Sequence, residues 1–204
     1  FKDIDVPPTL IAFGITTVDA GRVISPEFKE AGHRIYLMKH LPLHNFMPDT
    51  DALKKNWEYV HREIAAGNIV SGWAVGFGGV AEAVAKMSFG NRIGAEIKIN
   101  EQELFGCGYS SIVVESRGEL DWPGAVELGR TVAAETVTVN GERMPIDRLL
   151  EANTVKFATV YPDRGTTEPT VMQCIPRPVR FEYPGPAKEH PVAYLPSFPG
   201  TNCD

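Results

Sequence analysis

The chain has 204 residues, 43% of them hydrophobic and 23% charged, with 20 Lys and Arg against 26 Asp and Glu for a net charge of -6. That length supports one sizeable core, and the acidic balance with scattered basic residues argues against nucleic acid, whose phosphates need clustered Lys and Arg. The longest apolar stretch, residues 69–80, is broken by Ser71 and four glycines. It falls short of the roughly 18 residues of a membrane span, so no membrane partner is expected.

The N-terminal FKDIDVPPTL lacks the basic-then-apolar build of a signal peptide. Cys107, Cys174 and Cys203 are odd in number and widely spaced, as thiols of a reducing cytosol are. A cytoplasmic chain is the expectation.

In chain order, residues 9–19 (TLIAFGITTVD) have the β-branched enrichment of a strand, and residues 34–39 (RIYLMK) read as another. Leu53, Trp57, Val60 and Ile64 then recur at helical spacing, which predicts a helix over 51–66 with Gly67 as its left-handed stop. A buried strand over 68–75 follows, then a helix over 79–89 with Val80, Val84 and Met87 inward. Ala95, Ile97 and Ile99 alternate with Glu96 and Lys98 as in a half-buried strand. Residues 110–115, 131–139 and 154–161 read as strands, with a short helix near 146–151. Helices in the first half and mostly strands in the second predict an α+β fold, a mixed β-sheet packed with helices. Beyond it, prolines at 176, 178, 184, 186, 191, 196 and 199 resist both helix and central strand.

The chemically most suggestive stretch is NIVSGWAVGFGGVAEAVAKM, residues 68–87. Gly76, Gly78 and Ala81 fit the dinucleotide pattern G-x-G-x-x-G/A between a strand and a helix, with Glu96 where the ribose acid would sit. Glycines let a phosphate approach the backbone, and a helix N-terminus presents free N–H groups. The β-rich second half does not continue a doubly wound domain, however. The turn reads as an anion cradle at Gly76, Gly78 and Gly79 or as a strand-to-helix turn with a purely structural role. For the chain as a whole, an independent nucleotide-binding module and a purely structural interaction domain are the alternatives.

Other candidates are weaker. His40 and His44 straddle Pro42 and cannot share a helix face, so no metal site is expected there. No G-x-S-x-G surrounds a serine, and Cys107 in FGCGY has no basic neighbour to activate it. Trp57, Trp73 and Trp122 share no element and read as core or edge packing. No catalytic residue is assigned.

The segments FKDIDVPPTLIAFGITTVD, RIYLMKH, GFGGVAEAVAKMSFGNRIGAEI, ELFGCGYSSIVVES and VAYLPSFPGTNCD, in that order, resemble formylglycinamide ribonucleotide amidotransferase (phosphoribosylformylglycinamidine synthase) in its large single-chain form. The resemblance implies that residues 1–183 are its second C-terminal domain of the aminoimidazole ribonucleotide synthetase type. Residues 184–191 would be a Pro-rich linker, and 192–204 the first strand and turn of a truncated glutaminase domain. It also implies a fragment of an ATP-dependent ligase of purine biosynthesis that makes formylglycinamidine ribonucleotide from formylglycinamide ribonucleotide, glutamine and ATP.

ATP and Mg would serve the parent enzyme, with none bound tightly by the fragment. The partners would be the upstream synthetase domains and the downstream glutaminase, with a homodimer of the isolated fragment as a further expectation. The sequence departs from the family in one informative place. Where many members read His-Asp-x-Ser-Asp-Gly-Gly, this chain has Trp73, Ala74, Val75, Gly76, Phe77, Gly78 and Gly79. The resemblance gives the first Asp a part in holding magnesium beside a nucleotide, and a methyl group cannot replace a carboxylate on a hard cation.

Overall fold

The computed structural model describes residues 11–45 and 47–156, together with the isolated positions 185 and 192. The chain divides into two units, Phe1–Asp163 and Arg164–Asp204, and the fold described here is that of the first. The linker at 184–191, the segment 192–204, Cys174, Cys203 and His190 lie outside the described residues, apart from those two isolated positions.

Seven strands form one sheet: β1 (Arg34–Met38), β2 (Ile69–Ala74), β3 (Gly94–Ile97), β4 (Ile112–Ser116), β5 (Ala125–Val132), β6 (Thr136–Val139) and β7 (Glu142–Pro145). Among the described residues four α-helices accompany them: α1 (Thr50–Ala65), α2 (Gly79–Phe89), α3 (Glu101–Leu104) and α4 (Ile146–Val155). The strand order is β2-β4-β1-β5-β3-β6-β7, antiparallel throughout except for the parallel pair β3 and β6. This is the α+β class expected, a mixed sheet packed with helices.

Side-chain alternation along β1 divides the core. Ile35 and Leu37 join Val80, Ala83, Val84 and Met87 of α2, with Ala95, Ile97, Val113, Leu128, Val137 and Ile146, in one cluster. Tyr36 and Met38 point to the other face, where Tyr59 and Val60 of α1 meet Ile69, Val114 and Leu120. Successive residues of a strand face opposite ways, so the five residues of β1 supply both layers. Each fully buried Val, Leu or Ile contributes about 1.5–3 kcal/mol over exposure.

α1 starts where the Asp49 carboxylate accepts the Ala52 N–H at 3.0 Å. It ends in a left-handed Gly67, φ 76°, whose N–H reaches the Ile64 carbonyl while Asn68 N–H reaches Glu63. Those two bonds are a Schellman motif, which satisfies carbonyls the helix end would orphan. Leu53 and Val60 are inward as expected, but Trp57 is half exposed and Tyr59 takes its place, stacked on Trp122 with centroids 4.8 Å apart. In α2 the expected Val80, Val84 and Met87 are inward, together with Gly79, Ala83 and Ser88.

Three strand expectations are corrected. Residues 131–139 are not one strand, because β5 and β6 are separated in the sheet by β3. A bend at 133–135 carries the chain past Gly94, where an added Cβ would sit 2.1 Å from the Ala134 carbonyl oxygen, so the crossover needs a residue without a side chain. Thr154 and Val155 are helical, since α4 extends to Val155 and the Thr154 hydroxyl bonds back to the Leu150 carbonyl at 3.1 Å. Residues 157–161 of that expected strand lie outside the described residues. Finally, residues 11–19 pair with no described strand and are exposed throughout; positions 9 and 10 lie outside the described residues.

The segment from Phe28 to His33 is tied to the sheet by its bonds with Thr131 of β5 and by a buried carboxylate of β4. Glu115 on β4, fully buried, accepts the backbone N–H groups of Lys29 (2.8 Å) and Glu30 (3.2 Å) and the Ser71 hydroxyl (2.7 Å). His33 Nδ1 lies 2.7 Å from the same carboxylate. Among the described residues no helix is long and apolar enough to cross a membrane.

Candidate functional site

The glycine turn joins β2 to α2. Val75 N–H is held by the Ser111 carbonyl at 2.9 Å, which fixes the exit from β2 against the start of β4. Gly79 N–H then donates to the Gly76 carbonyl at 3.2 Å, closing the turn, and Gly79 is buried with φ 68°. An added Cβ there would lie 2.5 Å from the Leu104 carbonyl oxygen and 2.9 Å from backbone atoms of Phe105. Only a residue without a Cβ brings α2 this close to the loop after α3.

The three glycines expected to contact an anion are therefore not equivalent. Gly79 is accounted for by packing. Gly78 caps α2, and its N–H is already taken by the chain's own Glu82 carboxylate at 3.1 Å. Beside Gly76 a Cβ would meet nothing within 4 Å, so this position alone faces free space. Glu82 is in turn paired with Lys86 at 2.8 Å, and the Lys86 ammonium lies 5.5 Å from the centre of the Trp73 ring. The hydrogen bond and charge of Lys86, with a smaller part from the Gly78 N–H, hold the Glu82 carboxyl below its ordinary range against the opposing effect of burial. In the spacing Gly78-x-x-x-Glu82-x-x-x-Lys86 the glutamate reaches back to the N–H of the N-cap residue and pairs with the lysine at i,i+4, a signal legible in the sequence but not read from it.

A group whose folded pKa is depressed adds stability above its unfolded pKa and loses it as the pH falls. Glu82→Gln is thus expected to lower the melting temperature at pH 7, by a margin that shrinks as the pH falls below the ordinary carboxylate range. Melting curves of both proteins from pH 7 downwards check this: a gap that does not shrink with acid would assign the effect to packing instead of charge.

The loop at 105–111 leans on the turn from the other side. The Cys107 thiol donates to the Phe77 carbonyl at 3.6 Å, and a Cβ on Gly108 would be 3.1 Å from the Val75 side chain. Both loops present aromatic rings outward: Phe77 is 83%, Phe105 63% and Tyr109 62% exposed. A cavity of about 220 Å³ opens beside them, with Leu37, Val75 and Val80 on its wall and Lys39, paired with Glu103, among its polar residues. His40 also borders it, buried and without a hydrogen-bond partner at either ring nitrogen, while His44 is exposed.

The residues present do not fit a magnesium–nucleotide complex. Ala74 and Phe77 stand where carboxylates would be needed, and among the described residues no group of three or more His, Cys, Asp or Glu could hold a metal ion. The dinucleotide context is also missing. β2 and β3, which would have to be neighbouring parallel strands, are separated by β4, β1 and β5, and Glu96 lies on β3 beside Arg130 and Thr138.

Neither a protein-family model nor a curated protein sequence matches the chain. Solved structures do. The chain superposes on phosphoribosylformylglycinamidine synthase II from Thermotoga maritima with a TM-score of 0.55 at 14% identity, over 75% of this chain and 30% of that one. It matches the PurLQS structure from the same organism with a TM-score of 0.55 at 12% identity, covering 87% and 32%. For T. maritima PurL complexed with ADP the values are 0.53, 14%, 83% and 32%. At these identities the likeness shows a shared fold, and the chain spans about a third of the length of each structure.

Proposed function

We propose that this chain is one domain of an ATP-dependent ligase of purine biosynthesis that converts formylglycinamide ribonucleotide to formylglycinamidine ribonucleotide with glutamine as nitrogen donor. In this reading the domain walls the synthetase site, and its chemistry is completed by other domains. The observation that carries it is the superposition on T. maritima phosphoribosylformylglycinamidine synthase II over 75% of the chain, in agreement with the family resemblance of five sequence segments taken in order.

Within the wall, the open side of the turn at Gly76 is the place where backbone meets ligand. Gly78 and Gly79 keep the turn's shape. Because the turn lacks carboxylates, the nucleotide and its metal are held by other domains, and no chemical step is assigned to residues of this chain. The exposed Phe77, Phe105 and Tyr109 suit such a role, since aromatic rings left in water at a loop cluster mark a surface that is covered in an assembly.

The test is an assay of the longest product of the parent gene for ATP- and glutamine-dependent amidine formation, beside the 204-residue chain alone. Turnover is expected only from the former, and turnover by neither overturns the reading. Gly76→Ala refines it. Since nothing lies within 4 Å of the added methyl, folding stability is expected to stay within about 0.5 kcal/mol, while kcat/KM falls about tenfold or more. An unchanged kcat/KM would remove Gly76 from the ligand surface.

A further inference from the structure

We propose that the Glu30 carboxylate and the Nε2 atom of His33 bind one zinc ion, completed by water, which clasps the segment ahead of β1. The ring is set up for this from behind. His33 Nδ1 lies 2.7 Å from the fully buried Glu115 carboxylate. Each oxygen of that carboxylate already accepts a backbone N–H, Oε2 from Lys29 at 2.8 Å and Oε1 from Glu30 at 3.2 Å, and Oε2 also accepts the Ser71 hydroxyl. A backbone N–H can only donate, so both oxygens act as acceptors and the ring nitrogen beside Oε1 is a donor. The proton of the neutral imidazole therefore sits on Nδ1, and Nε2 is left with an open lone pair. A histidine whose other nitrogen donates to a buried carboxylate is the arrangement that orients imidazole on a metal.

Nε2 faces no donor. It faces the Glu30 carboxylate, whose Oε2 is 3.7 Å away, beyond hydrogen-bond distance. Two acceptors turned toward each other repel unless a cation stands between them. A zinc ion has the right size: with bonds of about 2.0–2.1 Å to nitrogen and about 2.0–2.2 Å to oxygen, ends this far apart enclose roughly 125° at the metal. The Glu30 side chain is 74% exposed and free to turn toward the tetrahedral angle, whereas that of His33 is 14% exposed and held by Glu115.

The surroundings leave this pair to a cation from solution. Among the described residues no lysine or arginine pairs with Glu30, because the Lys29 ammonium is on Glu27 and Ser25 and the Arg34 guanidinium is on Glu127. The donor set chooses the metal. An imidazole nitrogen beside a carboxylate suits zinc, whereas magnesium and calcium take oxygen ligands. Glu115 stays behind the ring and off the metal, so the protein supplies two ligands and water the rest. None of these residues belongs to the glycine turn, and the inference does not depend on the ligase reading.

Titration calorimetry with zinc chloride tests it, on the 204-residue chain with its three cysteines replaced by serine so that no thiol competes. One ion per chain is expected, and the melting temperature should rise with zinc concentration, as binding to the folded state requires. Glu30→Gln changes an exposed side chain and keeps the backbone bonds of the segment. It is expected to weaken binding by at least the roughly 10–100-fold that follows loss of a mere outer-shell partner. Nitrogen NMR of the His33 ring gives the second reading: the proton is expected on Nδ1 in the metal-free chain, with zinc shifting Nε2. Absence of binding overturns the inference, and binding that survives Glu30→Gln at full strength does so too, because it belongs to another site. An Nε2 proton that zinc does not displace also overturns it, in favour of an imidazolium shared by Glu30 and Glu115.

Discussion

Glu115→Ala is expected to destabilise the fold by about 3–5 kcal/mol, which lowers the melting temperature by roughly 10 °C. The carboxylate is fully buried and accepts the Lys29 and Glu30 N–H groups and the Ser71 hydroxyl, with His33 Nδ1 2.7 Å away. Alanine removes the shared acceptor and leaves these groups without it, each loss of a buried partner costing about 1–3 kcal/mol. Glu115→Gln keeps the shape but turns one oxygen into a donor aimed at donors, so an intermediate loss of about 2 kcal/mol is expected. Ser71→Ala removes a single bond and should cost about 1 kcal/mol. Urea unfolding of the three variants checks the order. If Glu115→Ala unfolds at the wild-type midpoint, the segment at 28–33 is held by Phe28 and by its bonds with Thr131, and the carboxylate adds nothing.

The contrast between α1 and Glu115 shows what a sequence discloses. Leu53, Val60, Ile64 and Gly67 lie within fifteen residues and report a helix and its stop through local spacing. Glu115 contacts Lys29 and Ser71 across 86 and 44 residues of chain, and nothing near it in sequence distinguishes it from an exposed strand acid. The error at 131–139 has the same source, because a strand and its crossover look continuous until β3, from forty residues earlier, is placed between β5 and β6. β7 and α3, at four residues each, are too short to show a period.

At the turn, the strand–glycine–helix order was legible, and so was the absence of acids at positions 74 and 77. The division of labour among Gly76, Gly78 and Gly79 was not, because it depends on where the loop after α3 returns. Residues 9–19 read as a strand by their β-branched enrichment, yet positions 11–19 pair with no described strand, because composition reports a preference and pairing depends on where an edge is placed.

Gly79→Ala is the second large effect, with an expected loss of about 3 kcal/mol or more, and Gly79→Val should be worse. Two costs combine. A side chain at φ 68° costs about 1–2 kcal/mol in the left-handed region, and the added carbon would stand 2.5 Å from the Leu104 carbonyl oxygen, so α2 and the loop after α3 must separate. The obstructing atoms are backbone, so no rotamer change relieves the contact, and the displacement should appear as faster hydrogen exchange at residues 104–109. The comparison with Gly76→Ala gives the experiment its meaning. Two glycines three positions apart in one turn are expected to separate cleanly, one lowering stability and the other lowering kcat/KM in the parent enzyme. If Gly79→Ala is tolerated, the close approach of α2 to Leu104 and Phe105 is not what holds the turn. If Gly76→Ala is the destabilising one, the open side of the turn is filled by the protein itself, and no ligand meets the backbone there.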